Sequence, residues 1–297
     1  MKTEQQEIPM MHDGQGGVIS GFDRSCAVLA KSGAAIIVNA DDWGRDGATT
    51  DRTLECCRRG AVSSVSAMVF MEDSERAAAL ARLHGIDAGL HLNFTLAYSA
   101  ASCPARLREH QGQLARFLRS HRLAPAMYHP GLATSFEYVV KAQLDEYERL
   151  FAVPTGRVDG HHHMHLSMNV ATQKLLPEGI VVRRNLSFRP GEKGYLNRAY
   201  RRLQDQRLAR RHRLTDFFFD LRPIEPRHRF SGILELAYRF DVEVETHPIR
   251  EEEYRFLVDE ELLRCGSGVT VSRGYILRFC KSTYGFGNAT STQQALR

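Results

Sequence analysis

From Ala34 onward, short apolar and β-branched runs alternate with longer stretches whose apolar residues recur every three or four positions. Switching between period 2 and period 3.6 in this way predicts βα units feeding a parallel sheet. Strands are expected over 35–40, 62–70, 86–94, 156–163, 179–184, 215–220 and 241–247. Helices are expected over 49–59, 74–84, 136–151, 196–210, 231–239 and 251–263, the strongest carrying Val139, Val140, Leu144, Tyr147 and Leu150 on one face. About seven repeats in one chain favour a barrel-like α/β domain over an open doubly wound sheet. Outside 34–280 the pattern lapses: 1–33 reads as a poorly ordered N-terminal extension and 281–297 as a polar C-terminal tail. Residues 96–135 hold Pro104, Pro125 and Pro130 with one modest helical segment, 113–121, and read as an insertion over the face where the strands end.

Composition narrows the class. With 297 residues, 43% of them hydrophobic, the chain can bury one large core. No run of about 18 apolar residues occurs, and the first 21 residues lack the apolar stretch of a secretory signal. Neither a membrane span nor Sec export is expected. Six cysteines without a C-x-x-C pair fit a reduced, cytoplasmic protein. The net charge of +5 rests on 34 arginines against 6 lysines, and 13 of those arginines lie between Arg183 and Arg229. No aromatic-interleaved module accompanies them, so a solvated helix face paired with acids is the simpler reading and a nucleic-acid partner is not implied. The pattern is compatible with a homo-oligomer.

Candidate chemistry gathers at expected strand ends, where βα folds place catalytic groups. Asn39-Ala40-Asp41-Asp42-Trp43-Gly44 closes the first strand. Adjacent carboxylates there point in different directions, so one can ligate a metal while the other acts as a base; an Asp helix cap would account for only one of them. In Gly89-Leu90-His91-Leu92-Asn93, period 2 sets His91 and Asn93 on one face, although a single strand histidine is more often a hydrogen-bonded core residue. Val158-Asp159-Gly160-His161-His162-His163-Met164-His165 gives four of the 13 histidines within five positions. If extended, it projects His161, His163 and His165 to one face, and imidazoles with carboxylates are the usual ligands of hydrolytic metal sites. Finally, Glu245-Thr246-His247-Pro248 ends a late strand in a histidine that Pro248 biases toward extended backbone, a fit for a general acid at the rim.

These four segments, in this order, resemble the YdjC-like family of carbohydrate deacetylases, which includes chitooligosaccharide deacetylases and a hopanoid-associated group. The resemblance covers about residues 35–278 and implies a single-domain α/β fold, a seven-stranded or distorted TIM-like (β/α) barrel. It also implies a hydrolase acting on a linear amide, removing an acetyl group from an N-acetylated sugar or glycan intermediate. By that resemblance Asp42, His91 and His161 are the ligands of a divalent ion, Zn2+ or Mg2+, with His163 as the alternative ligand. Asp41 is the general base and His247 the general acid. Apart from the resemblance, Arg183 at the end of the strand after the histidine cluster, or equally Arg184, is expected to orient Asp41 or hold its charge. Trp43, Phe94, Tyr98 and Tyr128 are candidate sugar platforms, though ordinary core or loop positions suit them as well. Two other readings use the same clusters: a metal-dependent phosphoesterase or nuclease employing the arginine-rich segment, and a non-catalytic metal- or glycan-binding protein.

Overall fold

The computed structural model describes residues 34–188, 193–264 and 268–278. The expected extension 1–33 and tail 281–297 therefore lie outside the described residues. In chain order the elements are β1 (Ala35–Trp43), α1 (Gly47–Arg58), β2 (Ser64–Ala67), α2 (Ser74–His84), β3 (Asp87–Leu92), α3 (Ala105–Leu118) and α4 (Ala133–Phe151). There follow β4 (Arg157–Gly160), α5 (Met168–Gln173), β5 (Val181–Val182), α6 (Tyr195–Leu208), β6 (Phe217–Asp220), α7 (His228–Leu236), β7 (Val242–Thr246), α8 (Glu251–Val258), α9 (Glu261–Arg264) and β8 (Thr270–Val271).

Seven parallel strands curl into a half-barrel in the order β5-β4-β3-β2-β1-β7-β6, with the short β8 paired to the start of β1. The outer strands β5 and β6 form no ladder with each other. Val181 bridges to Arg213 ahead of β6, and Ser187 N donates to Phe218 O. The expected barrel is thus present in its distorted form.

β1 as far as Asp41, β2, β3, β4 and β7 obey period 2, but both of their faces are covered. Val38 and Ala40, Val65 and Ala67, Leu90 and Leu92, and Val242 and Val244 join the apolar core shared with the helices. The alternate residues turn into the lumen and are polar: Asn39 and Asp41, Ser64 and Ser66, Arg157 and Asp159, Glu243 and Glu245. A polar group is buried cheaply only when it is hydrogen-bonded, so these residues must satisfy one another. Gly89 makes room for that: a Cβ there would meet Arg157 Cζ at 2.7 Å, and Arg157 reaches past it to donate to Asn39 Oδ1 and Val65 O.

The insertion is more ordered than expected. α3 runs from Ala105 rather than 113, starting directly after Pro104, because Leu107, Gln111, Leu114 and Leu118 form its buried stripe. Of the proposed platforms, Trp43 is fully buried and donates Nε1–H to Ala77 O. Phe94 packs on Phe136 in the core, and the buried Tyr98 donates to Asn93 O. Only Tyr128 of that set is exposed.

Candidate metal centre

β1 ends in a bulge between Ala40 and Trp43, and Asp42 takes left-handed backbone at φ 66°. In a regular strand Asp41 and Asp42 would face opposite ways. The left-handed residue, a conformation costing of order 1–3 kcal/mol, brings both carboxylates to the same imidazole instead. Asp42 Oδ1 lies 3.4 Å from His91 Nε2 and 3.1 Å from His161 Nδ1. Asp41 Oδ2 lies 4.0 Å from His91 Nδ1. Arg45 donates to the other Asp42 oxygen at 2.7 Å.

His91 is 1% exposed, and its Nδ1 faces Asp159 Oδ1 at 2.8 Å. A histidine that donates Nδ1–H to a carboxylate presents Nε2 as the ligand atom, which is how metal-binding histidines are oriented. Burial would lower the His91 pKa, but the charges of Asp41 and Asp159 outweigh it and raise it to about 10. Cation binding at this group must therefore displace a proton. Burial likewise works to raise the Asp42 pKa, yet hydrogen bonds from His161 and His91 hold it far below the usual carboxylate range.

The ligand atoms of Asp42, His91 and His161 all lie within 4.8 Å of one another. One carboxylate and two imidazoles that leave coordination positions open suit a divalent ion. A second group, Asp41, His91 and Asp159, meets the same spacing, but a guanidinium already holds it. Arg183 grips Asp41 at 2.7 and 2.8 Å and Asp159 at 2.9 Å. It also donates to Glu243 at 2.8 Å, approaches Glu245 at 3.3 Å and lies over the Phe218 ring. Burial presses the Asp41 pKa upward, and the Arg183 charge more than reverses this, so the carboxyl stays ionised. Arg184 turns away to Asp205 at 2.9 Å, which leaves Arg183 as the partner of Asp41.

The expected extended run 156–163 does not form. β4 stops at Gly160, and His162 and His163 adopt left-handed backbone (φ 53° and 58°) inside the turn His161–Leu166. That turn folds His165 back onto Gly160, where a Cβ would meet His165 N and Leu92 O at 3.1 Å. The four imidazoles consequently take different partners, although the His161 and His162 rings stay 4.0 Å apart. His161 reaches Asp42, His162 faces Thr95 at 3.2 Å, His163 lies 3.5 Å from Glu245, and His165 donates to Arg183 O. His163, the alternative ligand, is thus not brought to Asp42.

His247 lies beside this group without a hydrogen bond to it. Its backbone N–H donates to Glu253 Oε2 at 2.6 Å, and Arg250 donates to its Nδ1 at 3.0 Å. Burial holds its pKa below the ordinary histidine value. Glu253, fully buried on α8, also accepts from Thr246 and Arg250. Sequence reasoning did not single out Asp159, Glu243, Glu245, Arg45 or Glu253 as functional. The available signal was alternation: Glu243 and Glu245 flank Val244 in an otherwise apolar strand, which places two charges on the lumen side.

Fold and donor set together define a parallel βα half-barrel with a candidate divalent-metal site at the C-terminal ends of its strands. The family described as YdjC-like protein matches residues 35–266, and the chain belongs to that family. Chitooligosaccharide deacetylase from Enterobacter sp. (strain 638) is 33% identical over 132 residues, 44% of this chain and 50% of its own. The enzyme of that name from Proteus mirabilis (strain HI4320) is 31% identical over 150 residues, 48% of this chain and 57% of its own. The chain thus spans about half the length of the curated relatives it matches. A crystal structure from Enterococcus faecalis V583, of a proposed cellobiose-phosphate cleavage protein, shares the fold. Its TM-score is 0.55 at 17% identity, covering 82% of this chain and 98% of that one.

Proposed function

We propose that the protein is a metal-dependent hydrolase that removes the acetyl group from an N-acetylated sugar or glycan. The observation that carries this reading is the convergence of Asp42, His91 and His161 beside a carboxylate, Asp41, clamped by a buried arginine. A bound divalent ion, Zn2+ by its two imidazole ligands or Mg2+ as the alternative, would acidify a water and polarise the amide oxygen. Asp41 is the base: both its oxygens are oriented by Arg183, and a weak base of fixed direction suits an already acidified water. Asp159 keeps the His91 ring in place. His247, once protonated to imidazolium, is assigned to give the departing amine its proton from Nε2, since Nδ1 faces Arg250. A phosphodiesterase reading would need arginines free for phosphate beside the metal group, but Arg45 and Arg183 there are committed to carboxylates. Named relatives over about half their length support the sugar substrate. Buried free thiols at Cys56 and Cys103 support a reducing, cytoplasmic setting.

The test is acetate release from N-acetylated chitooligosaccharides. A chelator is expected to abolish it, and Asp41→Asn to lower turnover by at least about a hundredfold while bound metal is retained. Full activity in Asp41→Asn would remove Asp41 as the base.

A further inference from the structure

α6 is built inside out. Leu196, Ala199, Tyr200 and Leu203 recur at i, i+3, i+4 and i+7, the spacing of a core-facing stripe. Here that stripe faces solvent: Leu196 is 83% exposed and the adjoining Tyr195 82%, with Tyr200 and Leu203 exposed as well. The opposite side, which carries Arg201, Gln204 and Asp205, is turned toward the protein, and Asp205 is the helix's only buried residue. Asp205 anchors the helix by accepting from Arg184 and from the backbone and side chain of Asn185. Arg202 on α6 and Arg210 just past its end are exposed and meet no carboxylate at ion-pair distance among the described residues.

An apolar stripe flanked by unpaired arginines restricts what can cover it. A second copy of the chain would set unpaired arginines against one another. A nucleic acid would neutralise the arginines and leave the leucines in water. An anionic bilayer surface meets both requirements, with Leu and Tyr at the acyl boundary and Arg among the phosphates. None of the described helices is long and apolar enough to cross a membrane, so the contact would be peripheral.

We propose that α6 docks the protein on anionic phospholipid surfaces, lying in the headgroup plane with Leu196, Tyr200 and Leu203 inserted. The experiment is flotation of the full chain with vesicles of phosphatidylcholine and phosphatidylglycerol, compared with phosphatidylcholine alone. The protein is expected to float with the anionic vesicles only, and less so as salt rises. Leu196→Ser with Leu203→Ser should weaken binding at least about tenfold. Arg202→Gln or Arg210→Gln should each weaken it about fivefold. Both leucines are exposed, so circular dichroism and metal content should match the wild type. Wild-type flotation by the double leucine variant, or no flotation of the wild type, would overturn the proposal. So would a wild-type dimer that the leucine variant dissolves, which would give the face to a second copy.

Discussion

The lumen of the half-barrel and the outer face of α6 both invert the usual partition of side chains, with opposite consequences. In the lumen Asp41, Asp159, Glu243 and Glu245 lie where a core would be, and one guanidinium, Arg183, touches all four. On α6, leucines and tyrosines lie where charges would be, and nothing in the described chain covers them. A polar group brought inside can be satisfied by the chain that buries it, whereas an apolar group left outside needs a surface the chain does not supply. The first inversion is thus a matter of internal pairing and the second of an external partner.

The largest test of that contrast removes the hub. Arg183→Met leaves the lumen carboxylates buried without the cation that touches all four, and losing one partner of a buried charge network costs about 3–5 kcal/mol. Urea unfolding should register that loss or show no cooperative transition at all. Arg183→Lys, which keeps the charge but loses the fork, should fall between. An Arg183→Met protein within about 1 kcal/mol of wild type would mean that the lumen does not depend on its charge pairing. Next in size is Asp159→Asn. The amide can no longer receive His91 Nδ1–H as a carboxylate does, and loss of such a partner weakens metal binding about 10–100-fold. Competition with a chromophoric chelator reads this directly, and unchanged affinity would detach Asp159 from the centre.

The same contrast marks what was legible in the sequence. Strand positions could be read because one face of each strand stays apolar, and the bounds of α2 match the expected 74–84. Asp42, His91 and His161 were identified by their short motifs, and the structure brings them together. What the pattern misjudged was backbone that breaks periodicity. Two left-handed histidines undo the alternation expected of 156–163, and a left-handed Asp42 turns both carboxylates inward. Such residues carry no periodic signature, because φ is decided by the contacts on either side. The motif left Trp43 equally suited to a platform or a core position because a motif gives no depth; only the fold shows it under Ala77. Of α6 the sequence supplied the period but not the direction of the stripe. On the protein side the helix is held by the buried Asp205 and by Leu208, which packs against the core, while the longer stripe is left outside.

The smallest expected effect is also the most discriminating. Glu245 is the lumen carboxylate that Arg183 serves least closely, at 3.3 Å. Burial first, and then the Asp41 charge, raise its pKa well above the usual value despite the nearby guanidinium. An acid whose folded pKa is raised binds its proton more tightly folded than unfolded. Its contribution to stability is therefore complete below the unfolded value near 4.5 and declines as pH rises through the raised folded one. Glu245→Gln cannot ionise, and its amide oxygen can still accept from Arg183. Its stability should lie within about 1 kcal/mol of wild type at mildly acidic pH, and it should match or exceed wild type at mildly alkaline pH. The readout is the urea midpoint of both proteins across that interval. A variant destabilised equally at both ends would make Glu245 an ionised and necessary partner of Arg183. The lumen would then be a fully balanced ion cluster, and its contrast with the uncovered face of α6 would be sharper still.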